Sequence, residues 1–213
     1  MSESYKRPVA DDVVETEIEI KRSRFITLLG RVTDEQEARA FIDAARDRFP
    51  DARHHCSAYI YHVDDANPVE RSSDDGEPSG TAGKPMLDVL KGSGMLDACA
   101  VVVRYFGGVK LGAGGLVHAY GGAVSEALPL VKQVTRAPKE LYAVDFDHAD
   151  AGRLEAELRN RGVHITDTEY AAKVTYTVAV DPGGKEDLDE LIAALTQGSV
   201  EPRSVGSQWV ELR

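Results

Sequence analysis

The stretch ACAVVVRYF, residues 98–106, is the most continuous run of strand-forming apolar residues in the chain. A strand with one wet face alternates apolar and polar residues, and this run does not alternate. It therefore predicts a central strand buried on both faces. The segments before it supply the other elements. Residues 13–20, VVETEIEI, alternate as a half-buried strand should, and residues 25–32, FITLLGRV, read as a second strand. Thr33 and Asp34 offer helix N-caps, after which Ala38, Phe41, Ile42 and Ala45 recur at helical spacing until Pro50-Asp51. Residues 57–63, SAYIYHV, read as a third strand. Residues 64–83 are polar and rich in turn formers, which predicts a long loop. A helix is expected from about Pro85, with Gly92 and Gly94 ending it, and another from about Gly115 to Val131.

Arg136-Ala137-Pro138 reads as a domain joint. Beyond it the pattern predicts strand 141–147, helix 150–161, strands 163–170 and 173–180, helix 185–196 and strand 204–212, with Gly162 at a helix C-cap. That βαββαβ order is the ferredoxin-like arrangement. The expected class is α+β, with one domain over residues 1–137 and a second over 138–213.

Composition narrows the function. The net charge of −11 argues against non-specific coating of nucleic acid. Residues 1–137 hold 17 basic and 21 acidic side chains, and residues 138–213 hold 8 and 15, so the second domain is the more acidic for its size. Between 84 and 110 the sign reverses: Lys84, Lys91, Arg104 and Lys110 stand against Asp88 and Asp97. A small basic island on an acidic body suggests a local anion or partner site. Cys56 and Cys99 form no CxxC pair, which fits a reduced cytoplasm. No stretch approaches the length of a membrane span, and the first residues lack the apolar core of a secretory signal.

Two glycine-rich loops carry the chemistry. DDGEPSGTAGKP, residues 74–85, leads to a helix start, where unpaired N–H groups and a positive dipole end favour anions. Asp74, Asp75, Gly76, Glu77, Gly80, Thr81, Gly83 and Lys84 are its candidate residues. It is not a Walker A loop, because Pro78 stands where that motif needs its first glycine and Pro85 follows Lys84. The second loop, VRYFGGVKLGAGGLVHAYGG, residues 103–122, contributes Arg104, Tyr105, Phe106, Gly107, Gly108, Lys110, Gly112, Gly114, Gly115 and His118. Its spacing gives no GxGxxG, so a dinucleotide site is not supported. Basic groups beside aromatics suit phosphate contacts and base stacking. Asp74, Asp75 and Glu77 form an acidic turn, with no partners that would make it a metal site. His54, His55 and Cys56 are adjacent, so neighbours point to opposite faces of a strand, and no metal or cofactor is expected.

Residues 74–85 followed by VVVRYFGGVKLGAGGLVHAYGGAV (101–124) closely resemble the IMPACT family in its YigZ-like, two-domain form. KRSRFI (21–26) and HHCSAYIY (54–61) are similar to its upstream blocks. The chain departs from the pattern at His118, where the family usually carries arginine. The resemblance implies an N-terminal α/β sandwich like domain IV of elongation factor G and the RNase P protein, and a C-terminal domain like domain V of that factor. Eukaryotic relatives regulate translation initiation, competing for the activator of a starvation-sensing kinase.

The expected function is therefore a cytoplasmic, translation-associated binding protein that contacts RNA, the ribosome or a translation factor through residues 74–122. An enzyme acting on a phosphorylated or acidic small molecule at the same cleft is the alternative. A docking module without a small ligand is a third reading.

Overall fold

The computed structural model describes residues 4–212. Two compact units divide the chain, one over 4–135 and the other over 136–212. Each is a mixed α/β unit.

The first unit contains β1 (Tyr5–Pro8), β2 (Val14–Ile20), β3 (Ser23–Arg31), α1 (Glu35–Arg48), β4 (His54–Tyr61), β5 (Val69–Ser73), α2 (Gly83–Gly92), β6 (Ala98–Tyr105) and α3 (Ala113–Ala127). Five strands make an antiparallel sheet in the order β2-β3-β6-β4-β5. The unalternating run is β6, and it sits at the centre as expected, with residues 98–104 all buried. The two-residue period of the strand then sorts its side chains. Ala98, Ala100 and Val102 pack into the core under α2 and α3, together with Phe25, Leu29, Met86, Leu90 and Tyr120. Cys99, Val101 and Val103 pack on the opposite face, with Ala38 and Ala45 of α1.

Local sequence explains the entry into α1. Asp34 Oδ1 accepts from the Glu37 amide at 2.8 Å, and Glu37 Oε2 accepts from the amide and hydroxyl of Thr33 at 2.6 and 2.8 Å. Such reciprocal capping contributes about 1 kcal/mol.

Two expectations need correction. The loop of 64–83 contains a strand, β5, whose backbone pairs with β4 although VERSS has no apolar pattern. The third strand starts at His54 rather than 57, because its register on β6 extends to His54 opposite Arg104. The segment Arg136-Ala137-Pro138, where the second unit begins, lies inside the 14-residue strand β7 (Gln133–Phe146). Proline keeps an extended backbone and forfeits only one N–H, so it does not by itself end a strand.

The second unit continues with α4 (His148–Asn160), β8 (His164–Tyr170), β9 (Val174–Val180), α5 (Lys185–Thr196) and β10 (Arg203–Leu212). Its strands β7, β9 and β8 are neighbours in that order, and β10 pairs with β7. This reproduces the expected βαββαβ succession. Val144, Phe146, Leu154, Leu158, Tyr176 and Ile192 form its core. No helix among the described residues is long and apolar enough to cross a membrane.

Candidate functional site

The site in the first unit follows from strand period and register. Arg104 comes two residues after Val102, so it emerges on the α3 side of the sheet, and Tyr105 falls on the α1 side. On β4, His54 comes two residues before Cys56 and shares that α3 side. The 74–77 turn and the start of α3 close over the same end. Together they enclose a cavity of about 360 Å³ whose lining includes Arg53, His54, Glu77, Arg104, Phe106 and Lys110, with Gly112 and Ala113 at the helix start.

A buried polar cluster floors the cavity. Arg104 and Glu77 form an ion pair, Nη1 to Oε1 at 2.6 Å, with both side chains almost wholly buried. The Tyr120 hydroxyl donates to the same oxygen at 2.8 Å, and the Ser23 hydroxyl lies 3.4 Å from Arg104 Nη2. The guanidinium also lies 5.5 and 5.7 Å from the ring centroids of Phe25 and Phe106. Burial is the main cause that raises the Tyr120 phenol, so it stays protonated and donates. Arg104 is therefore neutralised, and the positive charge of the cavity rests on its rim. Arg53 and Lys110 are exposed and have no ion-pair partner among the described residues. Beside them Phe106 is 56% exposed.

The two glycine loops behave differently. In the first, Asp74 fills the amide cradle itself. Its Oδ2 accepts from the Gly80 amide at 2.8 Å, and its Oδ1 accepts from the amides of Ala82 and Gly83 at 3.0 and 2.9 Å. Burial alone would raise this carboxyl, but the three donors outweigh it and hold the group below its usual value. Gly83 allows the crossing over β5, since a Cβ there would lie 2.7 Å from the Ser73 nitrogen. The expected anion cradle of 74–85 is thus occupied by the chain's own carboxylate. Lys84 is not at the cavity: it pairs with Asp88 one turn along the exposed face of α2.

The second loop keeps its helix start open. Gly112 precedes α3 and no side chain caps it. Gly107 packs against the β2–β3 turn so closely that a Cβ would fall 1.9 Å from the Arg22 carbonyl oxygen.

Of the residues expected from sequence, the cavity brings together Glu77, Arg104, Phe106, Lys110 and Gly112. Gly114 and Gly115 lie in the first turn of α3, and His118 is exposed one turn further on. Gly108 has a left-handed φ of 84° in the loop. Gly76 and Gly80 shape the first loop, with φ of 85° and 75°, and the Thr81 hydroxyl donates to the Pro78 carbonyl at 2.6 Å. Tyr105 belongs to the other face of the sheet, where Arg24 stacks 5.4 Å from its ring.

The acidic turn is spent internally. Asp75 accepts from the His55 amide at 2.7 Å and pairs with Arg46 at 3.4 Å, while Glu77 is held as described. No group of three or more metal-ligating side chains gathers among the described residues. Cys56 donates to the Asp74 carbonyl at 3.0 Å, and burial pushes its thiol up to about 12. It is not a thiolate nucleophile at neutral pH.

Arg53 and His54 were not among the residues expected from sequence. Their signal is tertiary: His54 faces Arg104 across the β4–β6 ladder.

Comparison with known proteins now bears on this surface. An Impact N-terminal domain matches residues 21–128, and a domain of unknown function, DUF1949, matches residues 144–199. The IMPACT family member YvyE of Bacillus subtilis is 43% identical over 86% of this chain and 84% of its own. The chain belongs to the IMPACT family. YigZ of Escherichia coli, another member, is 41% identical over 86% of this chain and 90% of its own. A crystal structure described as that of a hypothetical protein superposes with a TM-score of 0.62 at 38% identity, covering 96% of this chain and 98% of that one. The two matched domains fall on the two structural units, and the Impact N-terminal match includes every residue named at the cavity.

Proposed function

We propose that this IMPACT family member is a cytoplasmic, translation-associated protein that binds RNA, alone or on the ribosome, through the cavity and its glycine-lined rim. The observation that carries this reading is the rim itself: Arg53 and Lys110 have no ion-pair partner among the described residues, and they line the cavity together with an exposed Phe106 and the uncapped start of α3. Cations place phosphates, and an exposed ring stacks a base without demanding a sequence. The family's eukaryotic role in translation initiation supports the setting. So does the expected likeness to domains IV and V of elongation factor G and to the RNase P protein, although fold likeness is analogy. The second unit is the more acidic for its size, which favours the first as the place of contact.

The alternative is an enzyme acting on a phosphorylated small molecule. It would use Glu77 or Asp75 as its base, and both carboxylates already accept from neighbours: Glu77 Oε1 from Arg104 and Tyr120, Asp75 from the His55 amide and Arg46.

Gradient sedimentation with ribosomes and with short single-stranded RNA, at several salt concentrations, tests the proposal. Association is expected to weaken steeply with salt. The R53A/K110A double substitution is expected to lower the slope of log K against log salt by about 1.4, near 0.7 per lost phosphate contact on single strands. Absence of any association at low salt overturns the proposal.

A further inference from the structure

The cavity holds two kinds of polar group, and phosphate accounts for only one of them. Glu77 lines it, and its Oε1 already accepts from Arg104 and from Tyr120. No described residue donates to Oε2. An ionised carboxylate only accepts, so Oε2 remains open to a donor from a ligand in the cavity. His54 is the second such group. Its Nδ1 lies 2.8 Å from the Asp75 carbonyl oxygen. A carbonyl cannot donate, so Nδ1 carries the proton, and in the neutral ring Nε2 is left as an acceptor. No described residue donates to it either. The site therefore sets two acceptors against the cations Arg53 and Lys110.

Inorganic phosphate or a simple carboxylate would satisfy the cations but bring negative charge toward Glu77. The complementary ligand is anionic at one end and offers N–H donors at the other. A nucleotide has this form, and the cavity lies within the size range of small-ligand sites. Phe106 adds an exposed ring for stacking. Among the bases, only guanine presents two neighbouring donors, N1–H and N2–H, on its Watson–Crick edge. Adenine and cytosine place a ring-nitrogen acceptor beside their amino group, and uracil sets one N–H between two carbonyls. We infer that the cavity takes a single nucleotide of RNA and prefers guanine, with Glu77 Oε2 and His54 Nε2 accepting from the two donors of the base edge and Arg53 and Lys110 holding phosphate. This inference deepens the RNA-binding reading and rests on it.

The test uses the full chain. Calorimetric titration with GMP, IMP, AMP, CMP, UMP and inorganic phosphate is run beside direct binding of a labelled short RNA. GMP is expected to bind about tenfold tighter than AMP, CMP or UMP, with IMP between them because it lacks the N2 amine, and phosphate weakest. In E77Q the GMP preference is expected to vanish while RNA binding at low salt persists, with thermal melting as the check on folding. If E77Q does not fold, the wild-type series decides alone. RNA binding with all the nucleotides equal within twofold overturns the guanine inference and leaves the RNA reading standing. Tight GMP binding without RNA binding overturns the RNA reading and keeps the pocket. Binding of none of them overturns both.

Discussion

The two glycine loops of the first unit have nearly the same plan, turn residues running into the start of a helix, and they reach opposite ends. In 74–85 the loop folds back so that Asp74 accepts three amides ahead of and within the start of α2. In 104–118 no side chain caps the start of α3, and the helix opens onto a cavity with Lys110 on its rim. A helix start attracts an anion in either case. What differs is whether the chain brings its own. The comparison teaches that a glycine-rich approach to a helix marks an anion-binding place only when no internal carboxylate can reach it.

Breaking the second loop's geometry is expected to have the largest effect. G107A forces a Cβ onto the Arg22 carbonyl, where it would sit 1.9 Å from the oxygen. A loss of about 3 kcal/mol or more is expected in denaturant unfolding, because backbone on both sides has to move. A variant as stable as the wild type would show that the β2–β3 turn does not brace this loop.

Opening the first loop comes next. D74A leaves three amides without their acceptor and is expected to cost about 2 kcal/mol. The pH dependence has a definite sign. The folded carboxyl titrates below its unfolded value of about 3.9, so its contribution is complete above that value and is lost as pH falls through the folded one. The stability advantage of the wild type over D74N should therefore shrink below about pH 4 and stay flat from pH 5 to 8. An advantage that grew in acid would contradict the assignment. Should D74A instead gain affinity for phosphate, the emptied cradle would have become a second anion site, which sharpens the contrast between the loops.

The smallest effect is expected at His118, exposed on α3 one turn beyond Gly114. H118R restores the charge usual in the family and should raise RNA affinity about threefold at low salt, with the gain disappearing as salt rises.

Much of this architecture was legible in the sequence, because periodicity and burial are local signals. The unalternating 98–106 run announced a central strand, and Asp34 announced the start of α1. Charged VERSS hid β5, whose strand character comes from pairing with β4 rather than from an apolar pattern. Arg53 and His54 were invisible as site residues for a similar reason, since the antiparallel register carries His54 to Arg104 and Arg53 comes to the cavity as its chain neighbour. Lys84 shows the opposite error. Its place beside glycine looked functional, yet helix geometry turns it to Asp88 and away from the cavity. Arg104 lines the cavity, but its charge is cancelled by Glu77, a pairing that a separation of 27 positions concealed.

The difference between the loops is tested most directly by salt-titrated binding of a short single-stranded RNA to K84A and K110A side by side. The account predicts that K84A matches the wild type in affinity and slope, while K110A binds more weakly and lowers the slope by about 0.7. Equal losses in the two variants, or a loss confined to K84A, would contradict it.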